Sequence, residues 1–390
     1  MPSRRDRMIV LPAIGSQLIA TTSLFLMPAL MSTLQAKAGL SDRASGLLLS
    51  MELAVSAFTT IYLTAFFHGH SFRRWGGRHR ALFGGALAIA GTAVTLVSPA
   101  VPMLFATRLA AGIGAGIVGA EATSVLSRGV EREKLIAIVT IASIVNAAIW
   151  LAVLPYMVDR LGYRGPYLCL LLVAMSGTYL LRRLPSVSSR PDSGQQQLKS
   201  SFNSTAVFVV AAIFLTQLGQ GAFWSLEETF GARAGFSSHA IGILLSVATL
   251  LLLLGAVASA WISGRLGRFY SLFVLIALNA ISILLISVIT VHWIFVAANV
   301  LQSITNLSSV ICQLGLAASL DRTGRVVAAG TSLVTLGNGL GPGLSANLND
   351  VFGAPSVGIV VLAFNLVALG LYYAVSLHEA ERPRVPASLT

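Results

Sequence analysis

Residues 39–50 read G-L-S-D-R-A-S-G-L-L-L-S, and residues 235–246 read G-F-S-S-H-A-I-G-I-L-L-S. Seven of the twelve positions are identical, and the two stretches lie 196 residues apart, about half the length of the 390-residue chain. Each stretch opens an apolar run that is followed by a short basic loop, R-R-W-G-G-R from Arg73 and G-R-L-G-R from Gly264. The shared spacing predicts two halves that repeat one fold.

Apolar runs extend outward from both repeats along the chain. Runs such as 205–226, 241–262 and 271–291 match the ~20 residues that cross a bilayer as a helix. The composition agrees, with 55% hydrophobic residues, 10% charged residues and a mean hydropathy of +0.82. Soluble globular proteins carry about 25% charged residues. Because runs of this length satisfy their backbone in lipid as helices, the sequence predicts an all-α integral membrane protein.

The runs and their breaks predict twelve transmembrane helices. Their predicted starts are Met8, Ala44, Ala81, Pro102, Leu135, Pro166, Thr205, His239, Ser271, Trp293, Val326 and Pro355. A Ser- and Gln-rich stretch, 185–204, predicts a cytoplasmic linker. The predicted domains are therefore an N-terminal six-helix bundle (1–184), the linker (185–204) and a C-terminal six-helix bundle (205–390). The apolar run after the basic N-terminus exceeds the ~7–15 residues of a signal peptide, which predicts a retained first span.

Basic residues predict the orientation. When segments between spans are assigned alternately to two sides, 20 of the 26 Lys and Arg share the side of the N-terminus and five lie on the other. This asymmetry predicts cytoplasmic termini and a multi-pass location in the inner cell membrane. It also accounts for the net charge of +12, so we expect a lipid bilayer and no nucleic acid as partner.

The loop after the second span resembles a motif of the major facilitator superfamily. Residues 69–78 read G-H-S-F-R-R-W-G-G-R, against the family pattern G-x-L-A-D-R-x-G-R-R. The residues kept are Gly69, Arg74, Gly76 and Arg78. The second-half loop keeps Gly267, and the family's acidic residue is replaced in the two copies by Arg73 and Gly264.

The fourth span is also similar to this family. Residues 108–116 read R-L-A-A-G-I-G-A-G and match the family pattern R-x-x-x-G-x-G through Arg108, Gly112 and Gly114. The exporter pattern G-x-x-x-G-P is not kept in the fifth span, but G-N-G-L-G-P ends at Pro342 in the eleventh. The resemblance covers nearly the whole chain. It implies twelve spans in two six-helix bundles, alternating access, and gating or conformational roles for Gly69, Arg74, Gly76, Arg78, Gly112, Gly267 and Pro342.

Two ionisable residues within spans are candidates for proton coupling. Glu52 and Arg108 lie at depths that differ by about one helical turn or less, by a rise of about 1.5 Å per residue. Charges at such depths are costly unless they are paired, so we interpret these residues as a coupled pair. The alternatives are a structural tie to backbone carbonyls for Arg108 and a protonated or hydrogen-bonded helix-packing role for Glu52. Glu121 lies about 220° around the helix from Arg108 and is predicted to meet loop arginines instead.

Polar side chains also recur at helical spacing on several spans. They are Gln217, Gln220, Trp224 and Glu227 on the seventh span, Asn299, Gln302, Asn306 and Gln313 on the tenth, and Gln17 on the first. By resemblance, spans one, four, seven and ten line a central cavity. The predicted substrate-binding residues are Gln17, Arg108, Gln217, Gln220, Trp224, Gln302 and Asn306. Interhelical hydrogen bonding, at ~0.6 kcal/mol per contact, is the alternative. Glu227 and Glu228, near the outer end, are also compatible with solvated positions.

These observations predict a secondary transporter of a small organic solute, coupled to protons and acting as a monomer. Multidrug or metabolite efflux by proton antiport is an alternative, and a non-transporting membrane sensor or a lipid-modifying enzyme is an alternative from another class. The chain has no G-x-x-x-x-G-K-[S/T] phosphate loop and no nucleophile motif. We therefore expect that the protein is not an enzyme and that it binds no cofactor and no metal. We interpret Cys169 and Cys312 as buried packing residues.

Overall fold

The computed structural model describes residues 4–66, 76–97, 100–126, 132–184, 204–320 and 325–380, and these are almost entirely helical. The first half comprises α1 (Arg4–Phe25), α2 (Met27–Ala38), α3 (Asp42–Ile61), α4 (Gly77–Val97), α5 (Val101–Leu126), α6 (Arg132–Leu161) and α7 (Arg164–Leu181). The second half comprises α8 (Ser204–Ser225), α9 (Glu227–Arg233), α10 (Ser238–Leu266), α11 (Arg268–Val288), α12 (His292–Leu320), α13 (Arg325–Phe352) and α14 (Pro355–Ala380). A π-helical turn, Tyr62–Phe66, extends α3.

The all-α membrane fold is confirmed, although the count of twelve spans is not fully matched. Within the described ranges, ten helices are long and apolar enough to cross a membrane, or eleven when the bent pair α1 and α2 counts as one. The difference arises from α13. This helix has 28 residues and is long enough to span, but its Gly, Ser and Asn residues lower its hydropathy. The predicted linker lies outside the described residues except for Ser204.

The sequence repeat forms the same local structure in both halves. Gly39 and Gly235 have positive φ angles of 68° and 86°, a conformation that glycine adopts without steric cost. Two residues later, the Ser41 and Ser237 side chains each accept a hydrogen bond from a backbone N–H three residues on, at 3.3 Å. Such N-caps satisfy a backbone donor of the first turn. The repeated residues therefore begin α3 and α10 in the same way.

The first and seventh predicted spans are broken at equivalent places. α1 and α2 are separated at Leu26 and meet at a bend of 51°, and α8 and α9 are separated at Leu226. Both breaks lie toward the end of the bundle where α2 leads into α3, which we call the distal end. The opposite end, where α7 ends and α8 begins, is called the linker end.

The halves meet along two seams that the repeat places symmetrically. A Cβ on Gly46 of α3 would lie 2.5 Å from the Pro342 carbonyl oxygen of α13. A Cβ on Gly242 of α10 would lie 2.8 Å from the Leu151 carbonyl oxygen of α6. Glycine at these positions allows the helix backbones to approach closely. The seams α3–α13 and α6–α10 therefore join the two halves.

Candidate functional site

Glu52 and Arg108 form a buried ion pair in the first half. The Arg108 Nη1 and Glu52 Oε1 atoms lie 3.6 Å apart, and the two side chains are 0% and 8% exposed. Close packing of α3 on α5 sets this position, because a Cβ on Gly112 would lie 2.5 Å from the Glu52 carbonyl oxygen. Gly112 lies one turn beyond Arg108 on α5. Glu52 and Arg108, which were predicted to lie at similar depths, are therefore in contact.

Three further side chains complete the surroundings of the pair. Arg108 Nη2 donates a hydrogen bond to Thr95 Oγ1 at 2.9 Å, and its guanidinium lies 4.9 Å from the centre of the Tyr167 ring. Ser23 Oγ donates to Glu52 Oε1 at 3.0 Å. The carboxylate and the guanidinium each offset the desolvation of the other, and a lone buried charge would cost several kcal/mol.

A cavity of about 30 Å³ adjoins the ion pair. Its walls come from α1, α3, α4, α5 and α7, all in the first half. Within the described part of the chain, Glu52 Oε2 and Arg108 Nε lack hydrogen-bond partners. The cavity is large enough for at least one water molecule, which could bond to such atoms. The pair is therefore enclosed within one half, and Arg108 is out of reach of a solute in this conformation.

The polar residues on α8 pair with those on neighbouring helices of the second half. Gln302 Nε2 donates to Gln220 Oε1 at 3.2 Å, and Asn338 Nδ2 of α13 donates to Gln217 Oε1 at 2.9 Å. Gln17 and Asn306 are half-buried. The two predicted stripes thus meet through an amide–amide hydrogen bond between α8 and α12.

Trp224 joins the two halves next to the helix breaks. Its Nε1 donates to the Leu24 carbonyl oxygen of α1 at 3.0 Å. Leu24 is adjacent to Ser23, whose hydroxyl bonds to Glu52. One short segment of α1 therefore touches both the interface between the halves and the buried ion pair.

Polar contacts close the distal end between the halves. Arg43 Nε lies 2.8 Å from Asp350 Oδ2, and His239 Nε2 lies 3.2 Å from Asp159 Oδ2. Ser32 Oγ donates to Glu228 Oε2 at 2.7 Å. A cavity of about 680 Å³ lies beside these contacts, with walls from α2, α6, α9 and α10.

Toward the linker end, several side chains of α13 and α3 are exposed. Thr335 and Thr331 lie on α13 about one and two turns from Gly339, which packs against Leu53 and Ala54 of α3. Both threonines are exposed, as is Thr64 at the linker end of α3. Polar contacts therefore join the halves at the distal end, while these threonines are exposed toward the linker end.

The residues predicted for gating lie at helix ends, at a seam, or outside the described residues. Gly69 and Arg74 lie outside the described residues. Gly76 and Arg78 are half-buried at the start of α4. Gly267 caps α11 with a φ of 75°, and Pro342 is buried within α13 at the seam with α3.

Glu121 meets an arginine of the predicted loop, Arg80, which the structure places in the first turn of α4. The Glu121 Oε1 atom lies 2.7 Å from Arg80 Nε. Sequence reasoning missed Tyr167 and Thr95 beside Arg108, since an aromatic residue and a threonine in apolar spans carry no distinctive spacing. It also missed the distal ion pairs, whose members are ordinary charged residues in short loops.

Comparison with known families gives one match that spans the chain. The family model described as Major Facilitator Superfamily matches residues 13–225 and 209–389. A search of curated proteins finds no match.

Solved structures of transporters share the fold. The crystal structure of the human organic anion transporter MFSD10 (TETRAN) aligns with a TM-score of 0.64 and 19% identity, over 95% of this chain and 100% of the other. A point mutant of the nucleoside transporter NupG aligns with a TM-score of 0.67 and 12% identity, over 95% and 99%. An auto-inhibited POT family peptide transporter aligns with a TM-score of 0.70 and 11% identity, over 100% and 99%.

Proposed function

Because the chain belongs to the major facilitator superfamily, we propose that it is a secondary active transporter that moves a small organic solute across the cytoplasmic membrane, driven by protons. The structural neighbours are named for organic anions, nucleosides and peptides, which supports a small organic solute as the class. Uptake and efflux of a solute library, compared in cells that lack or overproduce the protein, test this proposal. Equal fluxes in both for every solute would contradict it.

The polar contacts between the halves at the distal end are the observation that carries the proposal. Arg43–Asp350 and Asp159–His239 close the distal end, while Thr331 and Thr335 are exposed toward the linker end. A transporter that alternates access needs two such arrangements of its halves, and parallel six-helix repeats are suited to rocking between them. We interpret this conformation as open toward the linker end.

The Glu52–Arg108 pair is proposed as the site of proton coupling. The proposed coupling depends on this contact, because in an apolar interior each of the two charges offsets the desolvation of the other. Because Arg108 is enclosed, we propose that the signal passes through α1. A change at the Trp224–Leu24 contact moves the adjacent Ser23, which donates to Glu52. Linkage then makes solute binding and protonation favour each other.

Orientation gives the first test. We propose that the linker end faces the cytoplasm, because basic residues are concentrated there. A Lys199→Cys variant should resist a membrane-impermeant thiol reagent in intact cells and react after the cells are opened. A Lys37→Cys variant is the matched control, because Lys37 is exposed at the distal end and should react in intact cells. Labelling of Lys199→Cys in sealed cells would contradict the proposed topology, because it would place the linker outside the cell.

Four residues on α8 and α12 give the second test. We propose that Gln220, Trp224, Gln302 and Asn306 contact the solute, with Gln17 and Gln217 beside them. Alanine at each of the four should change apparent affinity roughly 2- to 12-fold, since a lost hydrogen bond costs about 0.5–1.5 kcal/mol. Transport kinetics should be measured together with folded yield.

Gln313→Ala is the matched control for that test. Gln313 is buried on α12 and accepts a hydrogen bond from Thr216 at 3.1 Å, but it is outside the proposed site. Its loss should lower folded yield without changing affinity. Normal affinity in all four alanine variants would exclude the proposed solute site.

A further inference from the structure

Glu227 occupies an unusual place for a carboxyl group. It is the first residue of α9, directly after the break at Leu226, and it is 0% exposed. Neither of its carboxyl oxygens has a hydrogen-bond partner among the described residues. Its neighbour Glu228 differs, because it faces the distal cavity and accepts a hydrogen bond from Ser32. The expectation that both glutamates could be solvated is therefore wrong for Glu227.

The register between α8–α9 and α12 places Glu227 and Asn299 at the same level along the bundle. These segments run antiparallel, and Gln220 bonds to Gln302 across them. Nearer the distal end, a Cβ on Gly231 would lie 3.3 Å from the Phe295 ring. One helical turn from Gly231 and Phe295 toward the linker end leads to Glu227 on one segment and Asn299 on the other.

Asn299 presents an oxygen without a donor. It is 1% exposed, and its Nδ2 donates to the Phe295 carbonyl oxygen at 3.1 Å. Its Oδ1 has no hydrogen-bond partner within the part of the chain that the structure describes. Three buried oxygens, two from Glu227 and one from Asn299, therefore lack a hydrogen atom to accept.

The charged and titratable groups on the surrounding elements contact other residues or are exposed. His239 of α10 pairs with Asp159, and the His292 ring of α12 packs on Phe236. Arg233 of α9 donates to the Ser287 carbonyl oxygen at 3.0 Å, and Lys37 of α2 is exposed. No cation in the described ranges is thus placed to compensate an ionised Glu227.

We propose that Glu227 is a second proton-binding site, and that its carboxylic acid donates a hydrogen bond to Asn299 Oδ1 in this distally closed conformation. In the neutral acid one carboxyl oxygen carries a hydrogen atom that Asn299 Oδ1 can accept, whereas a carboxylate would leave all three oxygens without a donor and add an uncompensated negative charge. This inference rests on the proposed proton-driven transport, to which it adds a site in the second half. α9 contacts the first half through the Ser32–Glu228 hydrogen bond. Opening of the distal end therefore changes the surroundings of Glu227, which can then release its proton.

Infrared spectroscopy of the purified protein tests this site without any transport assay. The carbonyl stretch of a protonated carboxylic acid should be present near neutral pH in sodium-free buffer and should shift on exchange into D2O. Glu227→Gln should remove that band, and since glutamine has the shape of the neutral acid, the variant should fold. Asn299→Leu should keep the band but move it to higher frequency, because the acid loses its hydrogen-bond acceptor.

Two variants and one ion serve as controls. Glu228→Gln and Glu52→Gln should both keep the band, so that a failure of coupling at Glu52 remains distinct from a failure of this proposal. A band that survives Glu227→Gln would overturn the assignment, as would loss of the band on adding sodium, which would identify a sodium site instead. An unshifted band in Asn299→Leu would overturn the pairing with Asn299.

Discussion

Replacement of Glu52 by glutamine is expected to abolish solute accumulation driven by an imposed pH gradient while solute exchange continues. Glutamine has nearly the volume of glutamic acid and can accept the hydrogen bond that Ser23 now donates to Glu52. It cannot bind or release a proton. A carrier without its coupling site still exchanges solute across the membrane, but the gradient no longer performs work on the solute. Accumulation should therefore fall to passive equilibration.

The measurement compares proton-driven uptake with counterflow in the same proteoliposomes. Glu121→Gln is the matched control, because Glu121 is also a buried carboxylate, yet it pairs with Arg80 at the linker end. It should retain accumulation. Full proton-driven accumulation by Glu52→Gln would refute the coupling role of Glu52, even if Glu227 binds a proton.

Sequence reasoning reached the Glu52–Arg108 contact because depth in a membrane helix follows from residue count. Glycines at the closest approach of α3 and α5 then left little freedom in how the two helices pack, as Gly112 against the Glu52 backbone illustrates. The direction of Arg108 into the first half could not be predicted in this way. Rotation about the helix axis depends on all neighbouring helices, and the Thr95 hydroxyl and the Tyr167 ring that receive the guanidinium lie on α4 and α7.

The position of Glu227 was missed because a straight seventh span would have carried it toward water. The break at Leu226 redirects α9 so that Glu227, Phe230 and Gly231 face the protein interior. In the first half the equivalent break is followed by Pro28 in the first turn of α2, a position that proline favours. The second half has no proline there, so the sequence carries a signal for only one of the two breaks.

Leucine in place of Gly242 is expected to prevent closure of the distal end and to stop transport. A Cβ at this position would lie 2.6 Å from Pro155 Cγ and 2.8 Å from the Leu151 carbonyl oxygen, and a backbone atom cannot move aside as a flexible side chain can. Overpacking costs about 1–3 kcal/mol, or roughly 5- to 150-fold in the balance between distally closed and distally open states. The open state separates α6 from α10 and accommodates the added side chain, so the protein should still fold.

A reporter for this shift can be placed in the α3–α13 seam, because the substitution lies in the α6–α10 seam. Ala346 of α13 is buried against Gly46 of α3, so an Ala346→Cys reporter should react slowly with an impermeant thiol reagent in the closed state. If the halves move as rigid bodies, Gly242→Leu opens both seams and accelerates that reaction while transport is lost. Gly370→Leu on α14 is the matched control, because a Cβ there meets nothing within 4 Å, and it should change neither quantity. Slow labelling combined with lost transport in Gly242→Leu would show instead that the seams move independently, because rigid halves cannot open along α6–α10 and stay closed along α3–α13.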